Sequence, residues 1–372
     1  MFRHTVRLGR IFGIVVDLDY SWFVVFGLLT WVLAVSYYPT EFKNWSRGEY
    51  WLLGALTAIM LFVSVLLHEL GHSVVAKRFG VSVPRITLFI FGGVSQMAAE
   101  PTNATAEFWI AAAGPAVSFA LAAIFWQLRP IFASVPPLLA LTKYLAMLNL
   151  ILGAFNLIPG FPLDGGRVFR AIVWGITRNF QRATAIAALT GRFFGFLLVF
   201  LGVWQVLAGN FLNGLWTSFI GWYLESAAAS QVQQQRVKDL LAGHKVSELM
   251  SRDCTRISGD LTLQELVDKY ILGGGHRCFV VSRGDETVGL VTLSEIKKMP
   301  RSSWPTTNVA QIMIPSEKLT STPANAEAWT TIESMGRNGV NQLPVLEGNK
   351  IIGMLSRDDL VHYLGIVQSL HA

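Results

Sequence analysis

His68, Glu69 and His72 stand within the stretch LFVSVLLHELGHSVVAKRFG, residues 61–80 of a chain of 372 residues. In an α-helix, residues four apart share a face, so two imidazoles at this spacing can hold one metal ion while the carboxylate between them lies a third of a turn away, beside a bound water. Two neutral imidazoles suit Zn²⁺. The pKa of a water on zinc falls towards ~7, and Glu69 can take its proton and pass it to a leaving amine. A zinc ion that performs chemistry keeps three protein ligands and one open position. The best third donor is Asp164, in the stretch AFNLIPGFPLDGGRVFR at residues 154–170. There Pro159 and Pro162 stop a helix, and Gly165 and Gly166 permit a tight re-entry that aims one carboxylate inward. Asp164 as a plain N-cap of the helix that follows is the alternative.

The elements that must position these groups are apolar. Hydrophobic residues make up 52% of the chain and charged residues 15%, with 12 Trp and 24 Phe, a balance foreign to water-soluble proteins of this length. The apolar residues gather before about residue 228. Six segments there, about 19–38, 51–76, 107–128, 138–158, 184–208 and 211–228, approach the roughly 20 apolar residues a spanning helix needs. An ionisable side chain at the centre of such a helix costs at least ~2.5–3.5 kcal/mol on insertion scales. Three of them in five positions therefore require compensation, which a metal ion provides.

Six crossings place both ends on one side. Arg3, Arg7 and Arg10, then Lys77, Arg78 and Arg85, then Arg167, Arg170, Arg178 and Arg182 all fall on that side, against Lys43, Arg47 and Arg129 opposite. The positive-inside rule makes it the cytoplasmic side of the cell inner membrane, for both termini. The net charge of +6 is thereby accounted for at helix ends and implies no nucleic acid. The basic N-terminus leads into an apolar run without a small-residue cleavage site, which reads as a retained membrane helix. Between the second and third segments, PRITLFIFGGVSQMAAEP reads as a small β hairpin dipping into the interior, whose edge could accept an extended peptide; an ordinary cytoplasmic hairpin is equally compatible.

Beyond Tyr223 the chain turns polar and Gln-rich, then repeats itself. The segment from Val246 aligns with that from Val309: Met250 matches Met313, Phe279-Val280-Val281 matches Leu343-Pro344-Val345, and Gly289 matches Gly353. A period of about 63 residues with helix, strand, turn and strand signals makes a tandem α/β module. The organisation is a transmembrane domain at 1–228, a linker at 229–243, and repeats at 244–303 and 304–372. Cys254 and Cys278, the two cysteines, both fall in the first repeat and imply no disulfide framework.

HELGH inside one membrane helix, with NLIPGFPLDGGR two helices later, resembles the site-2 protease family of intramembrane zinc metalloproteases. Asn156, Pro159, Asp164 and Gly165 occupy that family's N-x-x-P-x-x-x-x-D-G pattern. The resemblance implies one Zn²⁺ per chain held by His68, His72 and Asp164, with Glu69 as general base and Asn156 holding the substrate peptide or the oxyanion. It also implies a single-span membrane substrate, such as an anti-sigma factor or a membrane-tethered pro-sigma factor, cut in regulated intramembrane proteolysis. AAAGPAVSFALA around Gly114 and Pro115 resembles the same family, and generic small-residue packing explains it equally well.

The soluble repeat resembles paired cystathionine beta-synthase (CBS) domains over roughly 244–366. Each copy ends in a strand, a turn and a polar signature, GLVTLSE from Gly289 and GMLSRDD from Gly353. The resemblance implies an adenine nucleotide such as ATP, with Thr292 and Ser356 meeting phosphate and Glu295 and Asp359 meeting ribose. Glu295 is longer than the family's Asp, which weakens the first copy. Homodimerisation without a ligand is the other role such pairs play.

The expected architecture is an α-helical polytopic membrane domain of about six transmembrane helices with a small β hairpin, followed by an α/β tandem CBS pair. The rival is a transporter or channel gated by CBS domains. It accounts for the helices and the repeat, but gives no reason for a Glu beside two His in metal-binding register.

Overall fold

The computed structural model describes residues 5–90, 92–252, 254–274, 278–284, 286–338, 340–348 and 350–370. The chain divides into two units, Met1–Gln233 and Gln234–Ala372.

The first unit opens on strands rather than on a helix. β1 (Thr5–Ile11) and β2 (Ile14–Asp19) form an antiparallel hairpin. Its two-residue turn, Phe12 and Gly13, has positive φ at both positions (51° and 77°), the backbone that matches the twist of the flanking strands. β2 then runs parallel to β3 (Arg85–Phe89), which pairs antiparallel with β4 (Gly92–Gln96), giving a four-stranded sheet in the order β1-β2-β3-β4. The expected hairpin at 84–101 is thus half of a larger sheet. The N-terminal half carries no separate sequence signal because the apolar content of Ile14–Asp19 merges with the helix that follows it.

Among the described residues, five helices are long and apolar enough to cross a membrane: α1 (Ser21–Glu41), α2 (Arg47–Arg78), α3 (Ala104–Leu128), α4 (Pro136–Asn156) and, after the short α5 (Asp164–Thr177), α6 (Phe180–Leu207). The segment expected as a sixth span lies in α7 (Phe211–Leu241), helical throughout but not among those five. Local signals set the ends. Ser46 and Glu49 form a reciprocal cap at the start of α2, and Lys77 and Arg78 occupy its last turn, where they complement the helix dipole. The Asn103 side chain accepts from the Ala106 N–H (2.8 Å) to start α3.

α3 is the central helix, packed on α2, α4 and α5. Its interface carries polar groups. Glu107 is fully buried and pairs with Arg170 of α5, whose Nε donates to Glu107 Oε1 at 2.7 Å. In α4, Asn149 donates to Ser64 Oγ of α2 at 3.2 Å. The surface is the reverse, with Leu207 and Leu212 each 79% exposed, as a lipid solvent requires.

The second unit holds two sheets. One contains β5 (Thr255–Ser258), β6 (Cys278–Arg283), β7 (Glu286–Thr292) and β8 (Ile314–Pro315); the other contains β9 (Thr322–Pro323), β10 (Gln342–Glu347) and β11 (Lys350–Ser356), flanked by helices α8 (Ala328–Asn338) and α9 (Arg357–Leu370). The two sequence repeats exchange their leading segments. Val246, Leu249 and Met250 sit in one core with Leu343, Val345 and Leu355 of the second repeat, while Val309 and Met313 pack with Ile257, Phe279 and Val291 of the first. Backbone bonds fix the exchange: Val246 N–H donates to the Ala326 carbonyl (2.9 Å) and Val309 N–H to the Leu261 carbonyl (2.9 Å).

Candidate active site

The HELGH pentad occupies the last three turns of α2. Its helical period turns His68 and His72 onto the α3-facing side, where both are buried, and leaves Glu69 half-buried on the flank facing the sheet. Asp164 is the first residue of α5. Its cap is the preceding Leu163, which makes no side-chain capping bond, so the carboxylate does not serve as an N-cap and is turned towards the histidines. Asp164 Oδ2 lies 3.0 Å from His68 Nε2 and 3.1 Å from His72 Nε2, and the two Nε2 atoms are 3.2 Å apart. Among the described residues this is the one group of three or more His, Cys, Asp or Glu with converging ligand atoms.

The donor set fits zinc. Two imidazole nitrogens and one carboxylate oxygen match a three-ligand catalytic site, and separations of 3.0–3.2 Å are close to the edge of a tetrahedron whose centre-to-ligand distance is about 2.0–2.1 Å. The far ring nitrogens are held by α3. His72 Nδ1 lies 2.6 Å from the Ile110 carbonyl and must donate to it, which leaves Nε2 as the lone-pair nitrogen aimed at the site. His68 Nδ1 meets the Ser118 hydroxyl at 2.8 Å. Such outer partners fix ring orientation and tautomer. A sequence reading had no signal for Ser118 or Ile110, which lie about 40–50 residues from their partners.

Close backbone approach explains the glycines. A Cβ on Gly114 would collide with both imidazole rings, so α3 can lie flat on the histidines only with glycine at that position. Cβ atoms on Gly165 and Gly166 would strike the backbone of Leu157–Ile158 and of Gly160–Phe161. The loop from Leu157 to Leu163 is thereby pressed against the start of α5, which sets the position of Asp164. Further along α5, Arg170 is buried against Glu107 and over the ring of Phe161, anchoring the same helix to α3.

β4 lies over Glu69. Ser95 Oγ donates to Glu69 Oε2 at 2.5 Å, and a Cβ on Gly93 would overlap the Glu69 side chain. The edge strand of the sheet therefore passes directly beside the carboxylate of the pentad, a contact no sequence motif announces. Asn156, the last residue of α4, donates through Nδ2 to the Leu152 carbonyl of its own helix at 3.0 Å.

In the second unit the four candidate nucleotide residues form two equivalent caps. Ser356 N–H donates to Asp359 Oδ2 at 2.8 Å and Asp359 N–H returns to Ser356 Oγ at 3.2 Å. Thr292 bonds Glu295 in the same way through its N–H (3.2 Å) and its hydroxyl. A cavity of about 300 Å³ is lined by Thr292 and Glu295 together with Leu319, Asn341, Gln342 and Pro344. Ser356 and Asp359 do not line it.

Fold and site define a multi-pass membrane protein built around a largely buried cluster of two histidines and one aspartate whose ligand atoms converge as a metal ion requires. The chain belongs to the M50 peptidases, the site-2 protease family of zinc metalloproteases, and carries a CBS pair. The family model "Peptidase family M50" matches residues 56–135 and 131–199, and the CBS domain model matches 246–301 and 309–366. "Putative zinc metalloprotease Rip3" of Mycobacterium tuberculosis is 36% identical over 98% of this chain and 94% of its own length. "Putative zinc metalloprotease sll0528" of Synechocystis is 33% identical over 97% of this chain and 96% of its own. A solved structure, the site-2 protease from Methanocaldococcus jannaschii, is 31% identical and covers 62% of this chain and 95% of that one, with a TM-score of 0.42.

Proposed function

We propose that the chain is an HExxH-type zinc metalloendopeptidase that hydrolyses a peptide bond within or near the transmembrane segment of a membrane-tethered regulatory protein. The observation that carries the reading is the convergence of His68, His72 and Asp164 from two helices, 92 and more residues apart in sequence, with Glu69 alongside. His68, His72 and Asp164 are the metal ligands. Bound there, zinc would polarise the scissile carbonyl and supply an activated water.

The chain's own residues do the rest. Glu69 accepts the proton of the attacking water and delivers it to the leaving amine. Asn156, released from the Leu152 carbonyl, donates Nδ2–H to the developing oxyanion. The β4 edge beside Glu69 offers backbone groups to a substrate that has unwound into an extended strand, which supplies main-chain bonds that the bilayer withholds. A single-span protein such as an anti-sigma factor or a membrane-tethered pro-sigma factor presents such a segment.

The membrane in this reading is the cell inner membrane, with both termini in the cytoplasm and α7 as a sixth crossing. In support, Phe211, Leu215, Trp216 and Trp222 of α7 are exposed, and Gly202 and Gly214 let α6 and α7 meet backbone to backbone. The CBS pair binds an adenine nucleotide at the Thr292–Glu295 cavity or its counterpart at Ser356 and Asp359, tuning proteolysis, and can join two chains as a homodimer. ATP, ADP or AMP should then alter the cleavage rate of the purified chain, and Asp359→Ala should reduce that response.

The deciding experiment measures metal content and cleavage together, on the full chain in detergent against single-span substrates. Wild type should hold about one zinc, Glu69→Gln should hold zinc and cut nothing, and Asp164→Ala should lose both. Cleavage that survives Glu69→Gln would sink the mechanism, and a wild type that holds no zinc and cuts nothing would favour the CBS-gated transporter.

A further inference from the structure

The two repeats of the second unit can be superposed residue by residue through their strand registers. Ile257 of β5 pairs with Val281 of β6, and Thr322 of β9 with Val345 of β10; Val281 and Val345 in turn pair with Gly289 and Gly353. Counting back along the strands, Cys254 corresponds to Leu319 and Cys278 to Gln342. Leu319 and Gln342 are walls of the cavity beside Thr292 and Glu295. The cysteines therefore occupy the matching walls on the opposite side of the pseudo-twofold, the side of Ser356 and Asp359.

Where the second repeat has an aliphatic side chain and an amide, the first has two thiols in contact. Cys254 Sγ and Cys278 Sγ lie 2.7 Å apart. Thr255 is in register with Phe279 across parallel strands, so the cysteines are the next lateral pair. Neighbouring strands are about 4.7–4.9 Å apart, inside the Cα separation of about 4.4–6.8 Å that a disulfide spans. Cys254 is half-buried and Cys278 buried, within a cluster that includes Leu290 and Leu319 of one side and Met354 of the other.

We propose that Cys254 and Cys278 are a reversible thiol–disulfide pair, oxidised by exchange with a low-molecular-weight disulfide. The Cys254 thiolate, the more accessible, attacks one sulfur of that disulfide and expels the other half as a thiolate, which takes up the proton Cys254 lost. The Cys278 thiolate then attacks Cys254 Sγ and expels the second half in the same way. Two protein S–H bonds and one external S–S bond are exchanged for one protein S–S bond and two external thiols. In a reducing compartment such a bond is transient and reports oxidant. It ties β5 to β6 within the cluster that holds Met354 together with Leu290 and Leu319. The competing account is that both cysteines are inert small core residues.

The test uses the full chain in detergent, incubated with oxidised glutathione and analysed by intact mass and non-reducing peptide mapping. The proposal expects loss of two hydrogens, one peptide pair joined through Cys254 and Cys278, and reversal by dithiothreitol. Cys278→Ser should instead retain a glutathione adduct on Cys254. Three results overturn it: no reaction in the folded chain while the urea-unfolded chain reacts, stable adducts on both cysteines without a crosslink, or a disulfide that joins two chains. Wild type alone separates these outcomes, so a variant that fails to fold does not remove the test.

Discussion

The two units solve opposite packing problems with the same amino acids. Among the described residues, every exposed large hydrophobic lies before Leu224 except Leu272 and Val361. Conversely, the first unit buries His68, His72, Ser73, Glu107, Ser118, Asn149 and Arg170, whereas the described buried polar residues of the second are threonines. In water, burial of apolar surface drives folding and charges stay outside. In lipid that driving force between helices is absent, so polar contacts and close small-residue packing help hold them together, and the buried hydrogen-bonding groups among them are available for chemistry. The His68–His72–Asp164 cluster therefore lies in the unit that buries ionisable groups among its apolar clusters, while the described interior of the other is apolar apart from threonines.

Removing the centre is the largest blow to this contrast. His72→Ala should abolish zinc retention and lower cleavage at least roughly a thousandfold, with the second unit's unfolding transition unmoved. Metal analysis beside denaturation reads both. Next, Arg170→Met strands the buried Glu107 carboxylate and should destabilise the first unit by about 3–5 kcal/mol, with Glu107→Gln in the same chain restoring part of the loss. A double-mutant cycle in detergent that shows no coupling would remove Arg170 from the anchoring of α5.

A core truncation in the other unit should behave in the opposite way. Leu355→Ala, fully buried in the second repeat's core, should cost that unit about 2–5 kcal/mol and leave zinc content at one per chain. Smaller still, Ser118→Ala removes the partner of His68 Nδ1 and should weaken zinc affinity about 10–100-fold, measured by competition with a chelator. The smallest effect concerns an exposed pair. The His244 side chain, 2.6 Å from Glu248, holds that carboxyl below its ordinary pKa. A depressed folded-state pKa stabilises at neutral pH and is lost as pH falls through that value. The stability difference between wild type and Glu248→Gln should therefore shrink on acidification, from a value that is already slight at a solvent-exposed site.

Much of this contrast is legible in the residues. The membrane helices announce themselves by apolar length, and the tandem module by its 63-residue period. HELGH sits at helical spacing, and Asp164 stands beyond two prolines. What escapes is long-range or two-sided. The β1–β2 hairpin is hidden because a buried strand and the start of a membrane helix share the same apolar composition, and only the positive φ of Phe12 and Gly13 separates them. The role of Gly114 reads as generic small-residue packing until the rings of His68 and His72 are placed against it. The exchanged segments at Val246 and Val309 cannot be read from a repeat alignment. Alignment reports which residues are equivalent, and packing reports which core each equivalent residue joins.

By itself the sequence determines which solvents the chain must live in and which atoms can meet a metal ion, since both follow from local composition and helical period. Only the tertiary structure decides that Asp164 faces the histidines rather than its own helix, that Ile110 and Ser118 orient the rings, and that Ser95 touches Glu69. Those contacts join positions 26 to 96 residues apart. Their energy depends on how whole helices pack, which no local pattern encodes.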